Sequence, residues 1–281
     1  MTSTPKRFVA ALFGLGVALS ASAASAAPCG GNNGEGFDAW VQNFQAEAIS
    51  RGISPRVASA ALSGVSYDRR LIAYDRTQRP FKLTFEQFVA KRAPASLISQ
   101  ARSRIQRNKA LFDRVEAKYG VPAPIIATIW GMETAFGAIQ GNKNVFNGLA
   151  TLAYDCRRTE MFQGELIAAM QLVDRGDLTM SEMRGAEHGE IGQAQFLPSS
   201  YLKYAVDGDG DGRADMVRSS ADTIASIANY LRAKGWRAGG GWEEGSANFG
   251  VLAEWNKARV YQRAIAYAAT QIDQGGSRAQ R

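Results

Sequence analysis

Val121-Pro-Ala-Pro-Ile-Ile-Ala-Thr-Ile-Trp-Gly-Met-Glu-Thr-Ala-Phe-Gly137 is the stretch whose reading decides the fold. Pro122 and Pro124 suit the opening of a helix, where a missing N–H costs nothing, and Gly137 suits its end. The pattern predicts a helix over residues 122–136. Counting back from Glu133, Trp130, Ile129 and Ile126 stand at i−3, i−4 and i−7, so a carboxylate shares the apolar stripe. In that setting the charged form loses hydration, and the pKa is expected to rise toward neutrality. A general acid working near pH 7 needs such tuning. The alternative is a structural acid satisfied by backbone donors or an arginine, and the rest of the chain has to decide between them.

Helical periodicity continues on both sides of this segment. Residues 37–48, 54–62, 96–119, 158–175, 221–234 and 260–272 read as further helices, and short alternating β-branched runs are missing, so the expected class is mainly α. Gly120 suits a helix end before Pro122. Residues 237–250 are glycine-rich and read as a surface loop, and 274–281 as a frayed tail. No linker divides the chain.

The first 26 residues read as an export signal: Lys6 and Arg7 ahead of an apolar run too short to span a bilayer, then Ala24-Ser25-Ala26 as a cleavage pattern. The expected mature chain is 27–281, in the periplasm. An uncleaved anchor is the competing reading, which the short apolar run argues against. Cys29 follows Pro28 rather than a small residue, which argues against a lipoprotein. In an oxidising space the two cysteines, Cys29 and Cys156, are expected to pair, tying the glycine-rich segment after Cys29 to the body. Two cysteines and a single histidine, His188, leave too few soft ligands for zinc, and a Ser-His-Asp triad would have to run through His188. Carboxylates remain as the expected chemists.

The chain of 281 residues has 46% hydrophobic and 21% charged residues and a net charge of +7; without Lys6 and Arg7 it carries 31 basic against 26 acidic residues, or +5. That balance suits an anionic partner, cell-wall peptides or lipid headgroups rather than nucleic acid in this compartment, or else serves solubility alone.

Asp207-Gly-Asp-Gly-Asp-Gly-Arg-Ala-Asp215 matches the opening of an EF-hand loop. Asp207, Asp209, Asp211 and Asp215 supply acids at alternate positions, Gly212 permits the turn, and Arg213 offers a backbone carbonyl. Arg218 replaces the usual closing glutamate, and Asp222 is expected to reach back in its place. A structural Ca2+ is the expected occupant; a solvated acidic turn is the alternative.

Trp130-Gly-Met-Glu-Thr-Ala-Phe-Gly137, Leu149-Ala-Thr-Leu-Ala-Tyr-Asp-Cys-Arg-Arg158, Gly192-Gln-Ala-Gln-Phe-Leu-Pro-Ser-Ser-Tyr201, the acidic loop and Ser226-Ile-Ala-Asn-Tyr230 follow one another in an order that resembles the lytic murein transglycosylase B family. The resemblance covers roughly residues 37–272. It implies a lysozyme-like, mainly α fold with a deep glycan groove and Glu133 as the single acid/base. It further implies Gln195 and Phe196 as groove contacts, Tyr230 and Tyr261 as tyrosines near the acid, and Arg157 and Arg158 as a pair close to the muropeptide; Asn256 joins the substrate-binding set. Three departures stand out. Ala186 occupies a position where family members often have serine, Trp255 one where tyrosine is common, and no C-terminal peptidoglycan-binding module is expected.

Ordinary glycosidases use two carboxylates, and no second acid lies in an apolar stripe like that of Glu133; Glu187 and Glu190 lie in a polar stretch. The resemblance implies that Glu133 protonates the glycosidic oxygen between N-acetylmuramic acid and N-acetylglucosamine, then accepts the C6 hydroxyl proton as a 1,6-anhydro ring closes. Peptidoglycan strands are the expected partner of a monomer with no need of a membrane. A muramidase using Glu190 as base, and a non-catalytic, calcium-stabilised wall-binding protein, are the alternatives.

Overall fold

The computed structural model describes residues 28–31, 33–77 and 83–279, with side chains described through 275; the expected export signal lies outside them. Its architecture is helical. The first part comprises α1 (Phe37–Ser50), α2 (Pro55–Leu62), α3 (Arg69–Thr77), α4 (Phe85–Arg92), α5 (Ala95–Arg107) and α6 (Lys109–Tyr119). The Ser54 hydroxyl caps α2 and Thr84 forms a capping box with Gln87 on α4, so both helices begin where side chains satisfy otherwise orphaned N–H groups. The expected helix over 96–119 is two helices, because Asn108 leaves helical geometry (φ −114°, ψ 30°). Gly120 ends α6 in the left-handed region, as expected of it.

The centre is α7 (Ala123–Thr134), in which every residue except Pro124 and Glu133 is buried. A helix apolar all round belongs inside a protein, and α5, α6, α11 (Ser220–Ala233) and α13 (Arg259–Ala279) pack around it. Its end differs from the expected stop at Gly137. The helix closes at Thr134, and Ala135, Phe136 and Gly137 all take positive φ (51°, 62° and 87°). Left-handed backbone at a non-glycine residue costs about 1–2 kcal/mol, and packing offsets it here. The turn folds the Phe136 ring back onto Trp130, edge-on at 5.3 Å. A Cβ at Gly131 would stand 2.7 Å from that ring, so glycine is required there.

Beyond α7, β1 (Lys143–Asn144) pairs antiparallel with β2 (Arg184–Gly185), the small strand pair among the described residues. Between them α8 (Val145–Tyr154) packs on α9 (Thr159–Asp174). Single bridges Gly185 to Ile191 and Ile191 to Phe196 then fold residues 186–196 into a compact loop. The loop leads to α10 (Pro198–Tyr204), and α12 (Phe249–Trp255) precedes α13. The predicted loop over 237–250 therefore ends two residues early, at Asn248, and the predicted tail is helical through Ala279.

Cys29 and Cys156 are disulfide-bonded across 127 residues. The segment they tether is held more firmly than a glycine-rich sequence suggests. Gly30 N–H donates to the Tyr154 carbonyl at 3.0 Å, the Tyr154 hydroxyl donates to the Glu35 carbonyl, and Arg69 donates to the Asn33 carbonyl at 3.1 Å. Tyr154 is buried among Phe37, Trp40 and Tyr67.

Candidate active site

Glu133, in the last turn of α7, is the point at which the buried helix meets a cleft of about 600 Å³. Two donors converge on one of its oxygens. Trp255 Nε1–H donates to Oε1 at 2.8 Å, and the Tyr261 hydroxyl donates to the same atom at 2.6 Å. Oε2 has no hydrogen-bond partner among the described residues. Loss of hydration raises the Glu133 pKa, as its place in the stripe predicts; the bonds from Trp255 and Tyr261 and the charge of Arg92 oppose the rise, and Glu190 adds to it. Tyr261 is itself pushed well up, first by burial and then by the Glu133 charge, which keeps its phenol a proton donor. Arg92 donates to the Met132 carbonyl at 2.8 Å and lies 6.0 Å from the Tyr261 ring centre.

One wall of the cleft is aromatic. Phe196, Tyr230 and Trp255 meet with ring centres 5.2–5.6 Å apart, and Tyr204 supports Tyr230 from behind at 4.9 Å. Gln195, at positive φ (52°), donates its amide to the Gln140 and Gly192 carbonyls, and its oxygen remains to accept. Asn256 accepts Ala258 N–H through Oδ1 at 2.9 Å, leaving its NH₂ group to donate. Tyr74, Ala186, Glu187, His188 and Glu190 also line the cleft. Glu254, a further cleft acid, is ion-paired with Lys234 and Lys257.

The loop is locked to α7 through Gln193, which is buried. Its Oε1 accepts from Trp130 Nε1 at 3.1 Å and Ser220 Oγ at 3.2 Å, while its carbonyl accepts from Thr134 Oγ1 at 2.6 Å. A Cβ at Gly137 would lie 2.6 Å from Gln193 Oε1, which accounts for the glycine closing the motif.

The cleft thus gathers Glu133, Gln195, Phe196, Tyr230 and Asn256, with Tyr261 behind the acid. Arg157 and Arg158 do not line it. Both guanidiniums pair with the buried Asp75 of α3, which also takes His188 Nε2 at 3.1 Å. They reach the cleft indirectly, by holding the aspartate that holds His188. The His188 pKa is lowered, chiefly by burial. No serine hydroxyl among the described residues bonds to His188, so a triad through it is not assembled. Trp255, legible only as a departure from the family pattern, and Arg92, Tyr74 and Gln193 were missed; their contacts join segments far apart in sequence, and no local signal marks them.

Away from the cleft, Asp207, Asp209 and Asp211 bring carboxylate oxygens within 4.8 Å of one another. Hard oxygens so grouped fit calcium. Asp222 does not join them. Buried, it accepts from Gly208 N–H at 2.7 Å and Asp215 N–H at 2.6 Å and braces the loop's two ends, and Asp215 turns to Arg218. Arg213 is exposed within the loop.

Fold and site together define a class. Residues 36–246 match the transglycosylase SLT domain, and the chain belongs to that family. Among individual proteins, it is 40% identical over 122 residues to membrane-bound lytic murein transglycosylase B of Escherichia coli K12, a match spanning 43% of this chain and about a third (34%) of that protein. It superposes on Pseudomonas aeruginosa SltB3 in complex with NAG-NAM-pentapeptide with a TM-score of 0.80 and 29% identity, covering 85% of this chain and 80% of that one. Escherichia coli lytic transglycosylase Slt35 in complex with calcium matches with a TM-score of 0.75 and 22% identity, over 89% and 96% of the two chains. At that identity the likeness speaks for the fold. The family resemblance carried by the sequence motifs is borne out.

Proposed function

We propose that the chain is a lytic transglycosylase that cleaves peptidoglycan between N-acetylmuramic acid and N-acetylglucosamine without water. The observation that carries this reading is Glu133: a carboxyl whose pKa burial raises, fixed through Oε1, at the edge of an aromatic-walled cleft. Protonated, it gives its proton to the glycosidic oxygen as the C1–O bond breaks. The muramyl acetamide oxygen closes on C1. The Glu133 carboxylate then takes the C6 hydroxyl proton, O6 displaces the acetamide oxygen at C1, and the 1,6-anhydro ring leaves Glu133 protonated for the next cycle. Phe196, Tyr230 and Trp255 cover the apolar faces of the sugars, and Gln195 and Asn256 offer an acceptor and a donor to hydroxyls and acetamides.

Replacing Glu133 with Gln keeps the shape and removes the proton. Turnover of sacculi should fall by roughly 10²–10⁴-fold with folding intact; activity within a few-fold of the unsubstituted protein would overturn the assignment. A hydrolytic second reading rests on one observation, that Glu190 lines the same cleft and could serve as base toward a water. A wall-binding protein without turnover is the outcome if the unsubstituted protein and Glu133→Gln both bind strands and neither releases product.

Asp207, Asp209 and Asp211 would hold a calcium ion, whose contribution is to cancel their mutual repulsion and fix the loop between α10 and α11. The periplasm is the compartment in which this substrate and the disulfide coexist. No helix among the described residues is long and apolar enough to cross a membrane.

A further inference from the structure

The two hydrogen bonds on Glu133 are not interchangeable with a generic polar pocket. Trp255 Nε1 is donor-only chemistry: an indole N–H cannot accept. It occupies Oε1 at 2.8 Å, and the Tyr261 hydroxyl, a donor to the same atom at 2.6 Å, occupies it a second time. An oxygen accepting two hydrogen bonds is a poor place for a proton. Oε2 has no partner among the described residues and is the oxygen left free for the cleft that Glu133 lines.

We infer that Trp255 is a positioning residue for the reaction proposed above: its indole N–H confines the exchangeable proton of Glu133 to Oε2 and so fixes which oxygen acts as acid and base. The inference rests on Glu133 being the acid/base. A tyrosine hydroxyl rotates and can donate or accept, so at this position it would allow the carboxyl to be bonded in either protonation state. The indole removes that choice. Its ring is held for the task between Phe196 and Tyr230, at 5.6 and 5.2 Å, and α12 presents it on the helix's last residue.

The geometry carries a consequence for pH. The Trp255 bond favours the carboxylate over the acid, as does Arg92 from α4, while burial and Glu190 from the loop act the other way. Glu187 and His188 of that loop, Glu254 of α12 and Tyr230 of α11 also face the cleft, and Tyr261 of α13 stands behind. Removing the indole N–H alone raises the pKa of Glu133. The form competent to protonate the glycosidic oxygen then persists to higher pH, and the alkaline limb of kcat/KM moves up.

The test is Trp255→Phe beside Trp255→Tyr, assayed on soluble glycan strands across pH, with Glu133→Gln as control. Trp255→Phe keeps an aromatic face toward the sugar and loses the donor. Its kcat should fall by on the order of ten- to a hundred-fold, the equivalent of one hydrogen bond to a charged group, with KM changed less and the alkaline limb displaced upward. Trp255→Tyr restores a donor without the restriction to donating, so it should return the limb toward its original pH while recovering only part of the lost kcat. An unmoved limb in Trp255→Phe, or a loss confined to KM, would make Trp255 a sugar-facing wall and overturn the inference while the Glu133 assignment stands. An active Glu133→Gln would instead overturn the assignment on which it rests. Thermal melting of both variants separates misfolding from lost positioning, and the kcat and pH readouts are taken on the folded fraction.

Discussion

Gln193→Leu isolates the bond network that holds the loop bearing Gln195 and Phe196 against α7. Leucine approximates the volume of the amide, so packing against Gly137 survives and the hydrogen bonds do not. Ser220 is exposed and can turn to water. Trp130 is 3% exposed, and its indole N–H has Gln193 Oε1 as its acceptor. An orphaned buried donor costs about 1–3 kcal/mol. The main-chain bonds of Gln193, from its N–H to the Met216 carbonyl at 2.8 Å and to its carbonyl from Thr134, remain. A loss of about 1–3 kcal/mol is therefore expected in urea unfolding, with an unchanged m-value. At about 2–4 °C per kcal/mol for a chain somewhat under this size, the melting temperature should fall by roughly 2–12 °C. Gln193 is not part of the cleft lining, so kcat on sacculi should stay within a few-fold. A change under about 0.5 kcal/mol, the ordinary range for surface substitutions, would refute the claim that Gln193 is the partner of Trp130. A normal stability with collapsed activity would place Gln193 in the chemistry instead.

Millimolar calcium should raise the melting temperature, since a ligand bound only by the folded state stabilises it by mass action; Asp207→Ala with Asp211→Ala should abolish the rise, and identical melting in EGTA and calcium would count against a bound ion. Reduction of the Cys29–Cys156 bond should lower stability by at most the roughly 4–5 kcal/mol that the chain-entropy model allows for a loop of this length. Because Tyr154 holds the tethered segment by two further bonds, part of it should stay protected from hydrogen exchange after reduction, and complete loss of protection would contradict that anchoring.

The parts of this fold that were legible in sequence are those whose cause is local. Pro122 and the apolar stripe place α7 within a residue of its observed start, and Gly120 ends α6 where a left-handed residue is needed. α8 escaped because all but one of its residues are buried, so that no polar face marks a period. α3 escaped for the opposite reason: its mean character is polar and it is nine residues long. The site divides in the same way. That an acid shares an apolar stripe is visible in the seven residues before Glu133. That Trp255 donates to it is not, because the two are 122 positions apart. The arginine pair was expected near substrate, and the structure turns it toward Asp75, an acid that looks unremarkable in a charged helix but is 3% exposed in the fold.

The central claim, non-hydrolytic cleavage by a single carboxyl group, is tested most directly by the ends of the product. Purified sacculi digested with residues 27–281 and with its Glu133→Gln variant should be separated and weighed by mass spectrometry. The account predicts muropeptides ending in 1,6-anhydro-N-acetylmuramic acid from the first digest and none above background from the second. Reducing N-acetylmuramic acid ends, whose formation Glu190→Gln abolishes, would contradict it and make the protein a hydrolase.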